Sequence, residues 1–232
     1  MLSFIVPAHN EEALLGRTLA ALHDAAAALG EPNESIVADD ASTDRTADIA
    51  RQHGARVISI NRRQIAAARN AGAEAAKGDY FIFVDADTVV SPEVLRAAVR
   101  LLRRGVAGGG CLFRFDGEVP LYIDLLRHLS GPVSRAIGLV GGCFLFCTRR
   151  AYLAAGGFDE GLFAAEEISF AQRLKRQGRF VVLPMFVTTS DRKLHGHSAW
   201  EIFSTLARLG WRGPKAFRRR EGLELWYGPR TQ

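Results

Sequence analysis

Short apolar runs alternate with stretches of helical period through the first half of the 232-residue chain, and few folds accept that alternation. Phe4-Ile5-Val6 is the first run. After it come Leu15, Leu19, Leu22, Ala26 and Leu29, whose steps of four, three, four and three residues draw one helical face. Asn10 is the expected cap of that helix, and Gly30 and Pro32 are its stop. Residues 35–38, 56–60 and 80–84 predict three more strands, and residues 43–53, 65–77 and 91–104 predict the helices that follow them. Tyr80-Phe81-Ile82-Phe83-Val84 is continuously apolar, the pattern of a central strand buried on both faces. Ser91-Pro92-Glu93 opens the fourth helix with a cap, a first-turn proline and an acid that favours the dipole. Four strand–helix pairs in succession predict an open, mostly parallel α/β sheet with right-handed crossovers, which binds ligands beyond the carboxyl ends of its strands. The second half is less regular. Strands are expected at 112–116, after Gly108-Gly109-Gly110, and at 140–148 and 180–187, with helices at 166–176 and from about residue 198. No linker or repeat divides the chain, so a single domain is expected.

Composition removes whole classes. Hydrophobic residues make up 48% and charged residues 24%, which excludes a disordered chain. Three cysteines cannot frame a disulfide scaffold, and their sparse, odd number fits a reducing compartment. No stretch reaches the roughly 18 uninterrupted apolar residues of a membrane helix. The N-terminus has no basic leader before its first strand, so the expected location is the cytoplasm. The formal charge is +5, and six basic residues without an acid fall between Arg208 and Arg220. With Phe203, Leu206, Leu209, Trp211 and Phe217 among them, that segment is either a solvated charged face or a peripheral contact with an anionic membrane surface, at the inner face of the membrane. Nucleic acid is not an expected partner, because no aromatic RNA-binding motif or zinc-finger spacing is present.

Three acidic clusters carry the chemistry. Asp85-Ala86-Asp87 follows the buried strand, and oxygen-only ligands of this kind suit Mg²⁺ or Mn²⁺, which complete their shell with phosphates and water. Asp39-Asp40-Ala41-Ser42-Thr43-Asp44 follows the second strand. A helix start, with Ser42 or Thr43 as cap and Asp44 in the first turn, explains its second half; Asp39 and Asp40 remain, adjacent acids that need donors such as a base N–H or ribose hydroxyls. Gly156-Gly157-Phe158-Asp159-Glu160 precedes Glu166-Glu167 at a helix start, where acids are favoured by the dipole and where one could also act as general base. Cys143 and Cys147 lack the further ligands of a zinc site and are expected in the core, four residues apart on one strand face.

Five motifs occur in order: Phe4-Ile5-Val6-Pro7-Ala8-His9-Asn10-Glu11-Glu12, Asp39-Asp40-Ala41-Ser42-Thr43-Asp44-Arg45-Thr46, Ala67-Ala68-Arg69-Asn70-Ala71-Gly72, Asp85-Ala86-Asp87 and Gly157-Phe158-Asp159-Glu160 with Glu166-Glu167. From about residue 3 to about residue 195 the chain thereby resembles the nucleotide-sugar-dependent glycosyltransferases of family 2, which have the GT-A fold. The resemblance implies a donor half at about 3–110, an acceptor and catalytic half at about 111–195, and a basic helical segment at 196–232. It implies that Pro7, Ala8 and Glu11 line a nucleoside pocket, that Asp39 and Asp40 contact base and ribose, and that Arg69 adjoins them. Asp85 and Asp87 then hold a divalent cation on the diphosphate of a UDP- or GDP-sugar, with His195 in the loop 191–197 as a candidate further ligand and Arg192 and Lys193 beside it. Glu167 stands where the family usually has aspartate after glutamate, so Glu167, or Glu166, is the implied base of inverting transfer. The Gln-x-x-Arg-Trp motif of polymerising membrane members is absent, which argues against processive synthesis.

Two other readings compete. Phe83-Val84-Asp85-Ala86-Asp87-Thr88-Val89 also resembles the nucleophile motif of haloacid-dehalogenase phosphohydrolases, with Asp85 as nucleophile; that family opens its core with this strand, whereas three strand–helix units precede it here. A nucleotide-sugar-binding protein with a decayed site is the non-enzymatic alternative.

Overall fold

A computed structural model describes residues 1–117, 140–192 and 217–218. Its first half runs β1 (Leu2–Ala8), α1 (Leu15–Ala27), β2 (Asn33–Asp40), α2 (Thr46–Gln52), β3 (Arg56–Ile60), α3 (Ile65–Ala75), β4 (Tyr80–Val84), β5 (Thr88–Val89) and α4 (Pro92–Arg103). Then come β6 (Gly108–Phe115), β7 (Phe144–Thr148), α5 (Arg149–Ala155), α6 (Glu166–Lys175) and β8 (Phe180–Thr189). One sheet holds all the described strands in the order β3-β2-β1-β4-β7-β6-β8-β5. The side formed by β3-β2-β1-β4 is parallel throughout. Beyond β4 the sheet turns mixed: β7 is antiparallel to both β4 and β6, β8 is parallel to β6, and β5 is antiparallel to β8.

The alternation of side chains explains why both sheet faces are covered. Phe4, Val6, Ile82 and Val84 join Leu15, Leu19 and Leu22 of α1 and Val94, Leu95 and Val99 of α4. Ile5, Phe81 and Phe83 point the other way, onto Ala66 and Ala73 of α3 and onto Tyr152, Phe158 and Phe170. Every residue of β1 is buried, as a strand between parallel neighbours and two helical layers must be. Among the described residues no helix is long and apolar enough to cross a membrane.

Several expectations shift. Asn10 does not cap α1, which begins at Leu15. It sits at φ 50°, where its amide donates to Ser42 Oγ and its side-chain oxygen accepts from Thr43 N, so it joins the loops after β1 and β2. Helix α2 starts at Thr46 rather than at 43, and Asp44 accepts from the Thr46 amide and hydroxyl. The three glycines lie inside β6, because a Cβ on Gly109 would fall on the Phe146 ring and the Val181 carbonyl of the flanking strands. Strand β7 is shorter than expected and leads directly into α5, which the sequence did not announce. Cys143 precedes β7 and packs on the α1–α4 side, whereas Cys147 faces the α3 side; both are buried thiols on opposite faces rather than on one. The helix expected from residue 198 lies outside the described residues.

Candidate active site

The carboxyl ends of β1, β2 and β4 gather the predicted residues at one edge of the sheet. Pro7 and Ala8 end β1 and are buried. Glu11, also buried, donates its amide to Thr46 Oγ1, and its carboxylate takes an ion pair from Arg192 at 2.6 Å. Arg192 thus straps the loop after β8 to the loop after β1. The pair Asp39-Asp40 splits by function, as successive residues of a strand must face opposite sides. Asp40 Oδ1 accepts from the amides of Arg62 and Arg63, Oδ2 accepts from Gln64 N, all at 2.7 Å, and together they anchor the loop that starts α3. Asp39 accepts from Ser42 N through Oδ1, and its Oδ2 takes no hydrogen bond among the described residues.

Asp85 and Asp87 bracket the turn between β4 and β5. Asp87 Oδ1 accepts from the hydroxyls of Thr88 and Thr189, which ties the turn to β8. Asp85 donates its amide to the Cys143 carbonyl, and its Oδ1 receives Arg69 Nη2 at 2.9 Å. Arg69 projects from α3 and is only 1% exposed. Its Nη1 donates to Glu166 Oε1 at 2.8 Å, Nη2 also donates to Gly142 O, and the Phe158 ring lies 5.2 Å from Cζ. Nε has no hydrogen-bond partner among the described residues. Burial alone would weaken this cation's hold on its proton, but Asp85, Glu166 and Glu167 outweigh it and the guanidinium is held charged more firmly than usual.

Glu166 and Glu167 open α6 behind Ala165, whose φ of 58° places a non-glycine residue in the left-handed region at the helix entry. Glu166 is buried against Arg69, whereas Glu167 is half-buried and its carboxyl lies beside Gly142 and Arg69. Burial pushes both carboxyls above the ordinary range, and for Glu166 the charge of its neighbour adds to the rise; Arg69 offsets only part of it. The charge of one carboxylate makes its neighbour harder to ionise, so the two titrate as a pair.

Among the described residues no three acids, histidines or cysteines are clustered as a complete metal shell. Two aspartates at a turn, with Asp85 Oδ2 taking no hydrogen bond among the described residues, fit a hard divalent ion that draws its other ligands from phosphate and water. His195 and Lys193 lie outside the described residues. Of the basic C-terminal segment, Phe217 and Arg218 are described, and both turn onto the protein: Phe163 N donates to Phe217 O at 2.7 Å, and Arg218 pairs with Asp159. That part gives no support to a lipid contact.

Asn70, Gly142 and Phe158 also belong to this cluster, although no role was expected of them. Asn70 and Phe158 each stand in one of the five motifs; nothing local marked Gly142, which acts through its carbonyl.

The profile of glycosyl transferase family 2 matches residues 3–150, a span that includes the ends of β1, β2 and β4 and both aspartates of the turn. The chain belongs to glycosyl transferase family 2. Validoxylamine A glucosyltransferase of Streptomyces hygroscopicus subsp. jinggangensis (strain 5008) is 33% identical over 131 residues, 52% of this chain and 30% of that protein. The undecaprenyl-phosphate 4-deoxy-4-formamido-L-arabinose transferase of Pseudomonas aeruginosa (strain PAO1) is 32% identical over 168 residues, 67% of this chain and 49% of that one. This family 2 chain therefore spans half or less of the length of these curated relatives. Mannosyltransferase PcManGT from Pyrobaculum calidifontis, solved in complex with GDP-Man and Mn²⁺, superposes with a TM-score of 0.70 at 21% identity, covering 97% of this chain and 68% of that one. The mixed sheet is accordingly the GT-A fold of family 2, and the family match does not favour the phosphohydrolase reading.

Proposed function

We propose that the chain transfers a sugar from a nucleoside-diphosphate sugar, of the UDP or GDP type, to an acceptor hydroxyl with inversion and with a divalent cation, Mn²⁺ or Mg²⁺. The observation that carries this reading is the reach of Arg69. Its two terminal nitrogens join Asp85, at the end of β4, to Glu166, at the start of α6, so the Asp-x-Asp turn and the acid pair belong to one site.

Asp39, with one carboxylate oxygen uncommitted, is the acid for the nucleoside, beside Pro7, Ala8 and Glu11; Asp40 supports it by holding the loop at 62–64. Asp85 and Asp87 would hold the cation, which supplies positive charge against the diphosphate as the sugar leaves. Glu167 is the base. It takes the proton of the acceptor hydroxyl as that oxygen bonds to the anomeric carbon and the bond to the phosphate oxygen breaks. Glu166, fixed by Arg69, holds the start of α6, and with it Glu167, against the Asp-x-Asp turn.

The test is a thermal-shift titration with UDP- and GDP-sugars, with and without Mn²⁺. Metal-dependent stabilisation of about 2.7 kcal/mol is expected when the donor is at a hundredfold excess over its dissociation constant. Asp87→Ala should remove that response, and it should also lower the unliganded melting temperature slightly by deleting the acceptor of Thr88 and Thr189. Wild-type protein that answers to no nucleoside diphosphate with metal would sink the reading.

A further inference from the structure

We propose that Asn70 is a positioning residue for the transfer step: it fixes the turn at residues 156–160 and, through Phe158, sets the guanidinium of Arg69 against the acids of α6. The inference rests on the transferase reading above.

Asn70 uses both ends of its amide. Nδ2 donates to Phe158 O at 3.0 Å and to Glu160 Oε1 at 2.9 Å. Oδ1 accepts from Phe158 N and from the Tyr152 hydroxyl, each at 2.8 Å. Two donors and two lone pairs are the whole capacity of the group, and a single turn and its neighbouring helix consume them all. The turn is built around this amide. Gly157 sits at φ +66°, and a Cβ there would lie 2.9 Å from both Asn70 Oδ1 and the Tyr152 hydroxyl. Glu160, held by Asn70, also pairs with Arg62 in the loop that Asp40 anchors.

What the turn delivers is Phe158. Its ring lies 5.2 Å from Arg69 Cζ and 4.1 Å, centroid to centroid, from Phe170 of α6, the helix that begins with the acid pair. Arg69 and Asn70 are successive residues of α3, so one helix holds the carboxylates with one side chain and the aromatic floor beneath that guanidinium with the next. Phe158 also packs edge-on against Phe83, 5.0 Å away in the core. Loss of the Asn70 amide therefore leaves the ring in the core but frees the turn to slide. The slide misaligns Arg69 and the base more than it unfolds the protein.

Steady-state turnover of UDP-glucose, UDP-N-acetylglucosamine and GDP-mannose with Mn²⁺, with water as acceptor, tests this in wild type, Asn70→Ala, Asn70→Asp, Glu160→Gln and the double variant. Asn70→Ala should lower kcat about 10- to 100-fold with the donor KM within about twofold of wild type. Asn70→Asp keeps both acceptors but loses both donations and should fall similarly. Adding Glu160→Gln restores the 70–160 hydrogen bond with its polarity reversed and should recover at least about threefold in kcat. A structural role alone moves KM and melting temperature together and gives no rescue. Unchanged kcat in Asn70→Ala overturns the inference and leaves the transferase reading standing. If Asn70→Ala fails to fold, absence of rescue in the double variant overturns it. A wild-type protein that turns over none of these donors removes the transferase reading and this inference together.

Discussion

Arg69→Met is the substitution that most directly probes the site, because it keeps an apolar stem of similar reach and deletes the charge that Asp85 and Glu166 share. Both contacts are short, 2.9 and 2.8 Å, and Arg69 is almost wholly out of solvent. Removing one partner from such a buried cluster costs about 3–5 kcal/mol, since the remaining carboxylates lose their counter-charge without regaining water. For a chain of this size that corresponds to a melting temperature lower by roughly 6–20 °C near neutral pH. The loss should depend on pH with a definite sign. Glu166 and Glu167 already titrate above the ordinary range with Arg69 present, and without it they rise further. Below the unfolded carboxylate value, about 4.3, native and unfolded chains are both protonated at these positions and the charge is little missed. As pH climbs from there toward the raised native values, the unfolded chain ionises while the native pair stays protonated, so the native state loses ground until those values are passed. Thermal melts of both proteins at pH 5 and pH 8 measure the effect. Equal shifts at the two pH values, or a shift below about 2 °C at pH 8, would refute the claim that Arg69 acts as the counter-charge of buried acids.

Other outcomes follow from the same geometry. Glu167→Gln should keep the metal-dependent thermal shift with donor and lose transfer by about 10²–10⁴-fold; normal turnover would move the base elsewhere. The transfer rate of the wild type should still be rising with pH above pH 5, because burial lifts the Glu167 carboxyl above its ordinary range and it must be ionised to accept the hydroxyl proton; a rate that is flat from pH 5 to pH 8 contradicts this. Asp40→Asn turns one of the acceptors for the amides of residues 62–64 into a donor and should lower stability by about 1–3 kcal/mol in urea titration; an unmoved midpoint would mean that these bonds do not anchor the loop.

The chain's own periodicity determined the N-terminal half. Strands at 56–60 and 80–84 stand where apolar runs predicted them, and α4 starts at Ser91 and Pro92 as its cap and first-turn proline required, because these signals act between residues a few positions apart. Asn10 and Asp44 went astray for the converse reason. Each has a side chain that satisfies backbone groups in a neighbouring loop, so local capping preference lost to contacts between the ends of β1 and β2. The direction of β7, the helix after it and the opposite faces of Cys143 and Cys147 depend on how the second half folds back onto β4, which no local pattern encodes. The acids were visible in the sequence as motifs; their assembly was not. Arg69 lies 16 residues from Asp85 and 97 from Glu166, and only the packing of α3 beside β4 and α6 makes one buried cation answer to both.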